Sequence, residues 1–130
     1  MKVRIFYHDT DCGGVVYYAN YLKYLEEART EYLDERKLHM KELIQRGVLF
    51  VVARQEIDYK SPALYGDTLT VTTWVSSVTG VKIWFENEIK NQCSVLIARA
   101  KTLLVCIDKE LKPHALPEDL KKKITLQKEG

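Results

Sequence analysis

Hydrophobic and polar positions alternate at the start of the chain, with Lys2, Arg4 and Phe6 set against Val3, Ile5 and Tyr7. That period of two marks a half-buried strand. The period then lengthens: Tyr18, Tyr21, Leu22, Leu25, Ala28, Tyr32 and Leu33 recur at helical spacing, opposite Lys23, Glu27, Thr30, Glu31 and Asp34. The spacing predicts one amphipathic helix of about five turns, ending near Leu38, whose aromatic stripe belongs to the core. A shorter helix is expected over residues 39–46, closed by Gly47 at the C′ position.

From Val48 onward the pattern is strand after strand. Residues 50–59 are rich in Val, Ile and Tyr and stop at Ser61-Pro62, since proline cannot donate into a ladder. Gly66-Asp67 opens a β-branched run over 68–77, and Thr79-Gly80 turns into a strand over 82–90. There Ile83, Phe85 and Ile89 alternate with Lys82, Trp84, Glu86, Glu88 and Lys90. Residues 91–94 turn into a last strand over 95–108, where Leu96, Ala98, Ala100, Thr102, Leu104 and Cys106 offer a face of small residues on which a helix can lie close. Short turns between successive strands make them antiparallel neighbours. The class is α+β: one long helix and a meander able to curl around it. Pro117 suits the first turn of a short helix reaching about Lys123.

Composition narrows the reading. At 130 residues the chain is read as a single domain, residues 1–130, with a polar tail over 124–130 expected to fray. Twenty basic and 18 acidic residues leave a formal net charge of +2, so no nucleic-acid partner is expected. Lys121, Lys122 and Lys123 are read as a solvated face. Cys12, Cys93 and Cys106 make no pair pattern and no Cys-x-x-Cys, which favours a reducing compartment. No leader is read, and no apolar run approaches the roughly 18 residues that span a bilayer. The expectation is a cytoplasmic protein without integral membrane association.

Candidate chemistry concentrates between the first strand and the long helix, in Tyr7-His8-Asp9-Thr10-Asp11-Cys12-Gly13-Gly14-Val15-Val16-Tyr17-Tyr18-Ala19-Asn20-Tyr21. Gly13-Gly14 permits positive φ and close backbone approach. No Ser, Thr, Asp or Asn stands just before Val16, so the first amides of the helix are left open to another acceptor. Asp11 lies a few residues upstream. A carboxylate and amide donors around one gap suit attack on a carbonyl, while an Asx turn ahead of the glycines is the alternative for Asp11. Asp9, Thr10 and Asn20 read as loop-fixing groups, Asn20 also as a cap for a helix that starts one turn later. No histidine has a claim to serve Cys12 as base, and His8, His39 and His114 lack ligand spacing, so neither a thiol nucleophile nor a metal is expected. No phosphate-binding glycine pattern is present and no cofactor is expected.

This run, with Glu26, Glu27 and Arg29 beyond it, closely resembles the hotdog-fold acyl-CoA thioesterases of the 4-hydroxybenzoyl-CoA thioesterase-like family, within it the bacterial YbgC-type branch. Tyr59-Lys60-Ser61-Pro62-Ala63, Gly66-Asp67 and the strands to Asp108 extend the resemblance over about four-fifths of the chain. It implies a hotdog fold and hydrolysis of an acyl-CoA to free acid and CoA. Asp11 would be nucleophile or general base, and the Tyr18 backbone amide would polarise the thioester carbonyl. Gly14, Val16, Tyr17, Lys60, Ser61 and Pro62 would bind substrate, with Lys60 and Arg54 candidates for the CoA phosphates. Many relatives carry histidine where this chain has Tyr18, which leaves the backbone role intact. Glu26 and Glu27, where other hotdog branches place catalytic carboxylates, read here as solvated or interface charges. The resemblance also implies a homodimer or homotetramer, with the Asp11 loop of one subunit facing residues 59–63 of the other, and Trp74, Trp84, Val95 and Ile97 are expected to be exposed in a single copy. The rival readings are a hotdog hydratase or dehydratase, for which the loop lacks the histidine, and a non-catalytic acyl- or protein-binding module.

Overall fold

The computed structural model describes residues 1–11 and 13–124. Strand β1 (Lys2–Arg4) leads through a loop to helix α1 (Asn20–Glu35) and a short helix α2 (Met40–Gln45). Strands β2 (Leu49–Tyr59), β3 (Thr68–Val78), β4 (Lys82–Lys90) and β5 (Leu96–Ile107) follow, then α3 (Glu118–Lys123). The strands form one antiparallel sheet in the order β1-β3-β4-β5-β2, with α1 lying along its inner face. This is the hotdog arrangement the resemblance implies.

Period-2 patterning decides which face α1 covers. Val71 and Val75 of β3, Ile83, Phe85 and Ile89 of β4, and Ala98, Ala100, Thr102, Leu104 and Cys106 of β5 are all buried. Against them α1 buries Tyr21, Tyr24, Leu25, Ala28, Tyr32 and Leu33. The alanines of β5 let the helix approach, and each large apolar side chain so buried contributes about 1.5–3 kcal/mol. Two polar rungs divide this core. Thr73 faces Asn87, whose Nδ2 donates to Thr73 Oγ1 at 2.8 Å, and Thr102 donates to Gln55 Oε1 at 2.9 Å. One apolar cluster, from Ile5 to Ala100, lies on one side, and another, from Tyr32 to Ile124, on the other.

Helix α1 is shorter than its apolar spacing predicts, at both ends. It stops at Glu35 because Lys37 takes a left-handed φ of 59°, while the Leu38 amide donates to Leu33 O and the Lys37 amide to Asp34 O, each at 2.9 Å. This is a Schellman closure with lysine where glycine is usual, and Leu38 and Leu33 share the cluster beneath it. Helix α2 closes the same way on Gly47, at φ 79°, as its sequence indicates.

Three other expectations are corrected. Trp74 and Ile97 are buried within the single chain. Ile97 has no register partner where β4 and β5 slip between Ile89 and Lys90, and such a bulge re-aims a side chain, here into the core. Trp74 lies across from Glu86, among the long side chains of the outer face. Trp84 is half-buried and Val95 exposed. The tail does not fray from its first residue, since Ile124 is buried against the second cluster; residues 125–130 lie outside the described residues. No helix among the described residues is long and apolar enough to cross a membrane.

Candidate active site

After β1 the backbone makes a 3-10 turn over Tyr7–Asp9, and Asp9 becomes the hub of the loop. Its buried carboxylate accepts from the Phe6 amide at 2.9 Å. Its carbonyl oxygen accepts from the Tyr17 amide at 3.0 Å and from Asn20 Nδ2 at 2.8 Å. Thr10 Oγ1 donates to the Tyr7 carbonyl at 2.7 Å. Asp9, Thr10 and Asn20 therefore fix the loop, as their residue types indicate.

Thr10 and Asp11 face residues 14–16 across a small hairpin on this base. Thr10 bridges Val16, the Asp11 amide donates to Val15 O and the Gly14 amide to Asp11 O, both at 3.0 Å. The turn needs Gly14 at φ +72°, a conformation that costs an L-residue about 1–2 kcal/mol. The hairpin is then tied down: Val16 donates to Ala63 O at 2.8 Å, and Tyr65 donates to Gly14 O at 3.1 Å. The segment around residues 59–65 thus meets the loop within one chain.

Asp11 is exposed at the hairpin turn, and its Oδ1 accepts from the Gly13 amide at 3.1 Å. The Asx-turn alternative is therefore realised. It leaves Oδ2 without a partner among the described residues, so the turn holds the carboxylate in place without consuming it. Cys12 lies outside the described residues.

The amides expected to stay open divide unequally. Those of Val16 and Tyr17 donate to Ala63 O and Asp9 O. The Tyr18 amide has no acceptor among the described residues, because α1 begins only at Asn20 and Tyr18 falls between hairpin and helix. Its carbonyl is held by the Tyr59 hydroxyl, which donates at 3.4 Å, and by the Tyr21 amide at 3.3 Å.

Tyr18 lines a largely apolar cleft of about 310 Å³ with Val15, Val16, Tyr21, Tyr59, Lys60, Ser61 and Pro62. The Tyr59 ring stands edge-on to Tyr18 at 6.4 Å and tilted against Tyr21 at 5.5 Å. Burial pushes the Tyr21 and Tyr59 phenols above their ordinary value, so both are neutral hydroxyls at neutral pH. Of the residues expected to bind substrate, Val16, Lys60, Ser61 and Pro62 line the cleft. Gly14 and Tyr17 do not: Gly14 makes the hairpin turn, and Tyr17 packs its ring against Tyr18 at 5.1 Å. Sequence reasoning missed Tyr59 and Tyr21 as cleft walls. The available signal was a tyrosine ending a strand just before Lys60-Ser61-Pro62.

The remaining candidates lie apart from the cleft. Arg54 pairs with Glu56 at 3.1 Å. Glu26 and Glu27 are exposed on α1. His8 projects into solvent, stacked on Phe6. Among the described residues no three His, Cys, Asp or Glu side chains gather so as to hold a metal ion.

The family model described as Thioesterase-like superfamily matches residues 7–124. Acyl-CoA thioester hydrolase YbgC of Escherichia coli O6:H1 is 39% identical over 119 residues, covering 91% of this chain and 89% of that protein. Acyl-CoA thioesterase YbgC of Haemophilus influenzae is 40% identical over 121 residues, covering 92% and 88%. Among solved structures, Slr0204, a 1,4-dihydroxy-2-naphthoyl-CoA thioesterase from Synechocystis, superposes with a TM-score of 0.88 at 29% identity, covering 95% of this chain and 93% of that one. A family model that spans nearly the whole chain and relatives at this identity and coverage show that the chain belongs to the thioesterase-like superfamily, in its YbgC branch.

Proposed function

We propose that the protein hydrolyses an acyl-CoA thioester to a free acid and CoA, with Asp11 and the Tyr18 backbone amide as its catalytic groups. The observation that carries this reading is the unengaged Tyr18 amide at an apolar cleft, beside a hairpin that presents Asp11. The acyl group lies in the cleft and its carbonyl oxygen accepts from the Tyr18 amide. Asp11 either takes a proton from the attacking water or attacks the carbonyl carbon itself. In the first route, water oxygen bonds to that carbon as its proton passes to Asp11. The oxyanion then collapses, the C–S bond breaks, and the CoA sulfur leaves with the proton. In the second route, CoA leaves from a mixed anhydride, which water then hydrolyses to regenerate the carboxylate. Val16, Ser61 and Pro62 shape the cleft, Lys60 is placed to meet a CoA phosphate, and Gly14 and Tyr17 act by fixing the hairpin and the Tyr18 ring.

The protein works in this reading as at least a homodimer, with a homotetramer as the further expectation. Strand β2 supports this. It is an edge of the sheet, runs for 11 residues, and exposes Val51, Val52 and Ala53 along with much of its backbone. Edges of that length and apolarity invite pairing with a second copy. The cytoplasm is the proposed compartment, since three cysteines without a pairing pattern suit a reducing environment. Thiol release from a panel of acyl-CoAs tests the activity. A thioesterase liberates CoA, whereas a hydratase, a dehydratase or a binding module liberates none, and absence of release across the panel would overturn the reading.

A further inference from the structure

Gly66-Asp67 precedes β3 and belongs to a tight turn over residues 64–67, with Gly66 at φ 89°. The Asp67 amide closes the turn by donating to Leu64 O at 3.0 Å. The half-buried Asp67 side chain closes it a second time, since its Oδ2 accepts from the Leu64 amide at 2.9 Å. Its other oxygen, Oδ1, accepts at 2.9 Å from Nε2 of Gln92, in the turn between β4 and β5. Gln92 Oε1 in turn accepts from the Thr68 amide at 3.1 Å. A carboxylate only accepts and a backbone amide only donates, so the Gln92 side chain fits between them in one orientation. Each Asp67 oxygen therefore has a fixed partner.

This turn holds the catalytic loop at both of its ends. Where the chain enters the loop, the Gly66 amide donates to Ile5 O at 3.0 Å and the Ile5 amide donates to Asp67 O at 2.8 Å. Where it leaves, Leu64 bridges Val15, the Tyr65 amide donates to Gly14 O, and Ala63 O accepts from the Val16 amide. The residues so pinned, 14–16, lie between Asp11 and Tyr18 in the chain. Asp9 fixes the loop from within, and the segment 63–65 fixes it from outside. A carboxylate and an amide that must meet at one carbonyl tolerate little displacement, since a misplacement of about 1 Å can cost about 100-fold in rate.

We infer that Asp67 is a positioning residue for this site: through residues 63–65 it sets the place of the Asp11 hairpin and the direction of the Tyr18 amide, with Gln92 as its support. Its effect on turnover rests on the proposed function; its hold on the hairpin does not and is measured without substrate.

Asp67→Asn keeps the shape but supplies one acceptor where two are used. With its oxygen on the Leu64 amide, its NH2 group meets that of Gln92, and turning Gln92 round only sets the clash against the Thr68 amide. Adding Gln92→Glu removes it, because a carboxylate at position 92 accepts from both the new amide at 67 and Thr68. The experiment measures CoA release, and NMR amide shifts in labelled full-length protein, for wild type, Asp67→Asn and the double variant. Asp67→Asn should lower kcat about tenfold or more with a smaller effect on KM, and should move the amide shifts of Gly14, Val16 and Tyr18. The double variant should return kcat to within about threefold of wild type and bring those shifts back. A role confined to stability would lower Tm and leave both readouts of the folded protein unchanged. Near-normal kcat in folded Asp67→Asn, shifts confined to residues 64–68 and 92, or no recovery in a folded double variant would each overturn the inference. Should Asp67→Asn fail to fold, Gln92→Met removes the support from the other side and should lower kcat about threefold or more with the same shifts, and no change in either would overturn the inference. Absence of CoA release by wild type would overturn the proposed function alone, and the amide shifts would then decide the inference.

Discussion

Asn20 donates its side-chain amide to the carbonyl oxygen of Asp9 at 2.8 Å, across 11 residues of sequence. The same oxygen accepts from the Tyr17 amide, so one acceptor joins the foot of the hairpin to the first residue of α1. Tyr18 lies between these two donors, and the direction of its free amide is set by them. Asn20→Ala should therefore cost about 0.5–1.5 kcal/mol of stability, seen as a Tm lower by roughly 3–6 °C. It should also reduce kcat about tenfold, with a smaller effect on KM. Unchanged kcat in a destabilised variant would show that the tie serves the fold alone.

Gly14 provides a separate test of the hairpin. A Cβ there would meet nothing within 4 Å, so Gly14→Ala is opposed only by the φ of +72°. The expected loss is about 1–2 kcal/mol in urea unfolding. A stabilised variant would mean that the turn relaxes out of this conformation at no cost.

Much of the architecture was legible in the chain, for physical reasons that differ by element. Strand β4 was readable to the residue because its apolar positions keep strict alternation between Thr79-Gly80 and Asn91. Helix α2 was readable because Gly47 is the residue that left-handed closures favour. The end of α1 was not, since Lys37 adopts the same conformation without announcing it, and its closure depends on Leu38 reaching back to the cluster around Leu33. Ile97 was assigned to the wrong face because a bulge has no signature in a β-branched run. Around the site, the glycine turn and an open amide ahead of the helix were legible from local sequence, while Tyr18 as the residue carrying that amide came from the resemblance. The cleft walls Tyr21 and Tyr59 were not legible, because they meet only after β2 has crossed the edge of the sheet. The burial of Arg29 was not readable, since Thr102, which its guanidinium reaches at 3.4 Å, comes from a strand far along the chain.

Residues beyond the site test another part of the structure. Arg46 and Asp119 form a two-pronged ion pair, 3.0 Å on each side, that joins α2 to α3. Hydrogen bonding to Arg46 holds the Asp119 carboxyl below its ordinary value. A depressed carboxyl contributes stability that is complete above the unfolded value of about 3.9 and lost as pH falls through the folded value. The difference in urea midpoint between wild type and Arg46→Met should therefore be present at neutral pH and vanish in the acid range. Both groups are solvent-exposed, so 1 M salt should also shrink it. A gap that persists in acid would assign the effect of Arg46 to packing.

Assembly is tested at the β2 edge. Ala53 is exposed and has no register partner in β5, so proline there spares the intrachain ladder while removing an edge donor. Light scattering should find wild type at twice the 15.1 kDa chain mass or more, and Ala53→Pro shifted toward a single chain with reduced activity. A fully active wild-type species of one chain would show that a single copy suffices.

In the proposed reaction Asp11 performs the chemistry and does not merely shape the turn. Asp11→Asn separates the two roles, since the amide keeps an oxygen able to accept from Gly13 but can neither take a proton nor attack. The decisive measurement is CoA release by the folded Asp11→Asn variant at saturating acyl-CoA, with circular dichroism and Tm matched to wild type. The expected kcat is lower by about 10²–10⁴-fold with KM little changed. A kcat within a few-fold of wild type would contradict it and return Asp11 to a structural role.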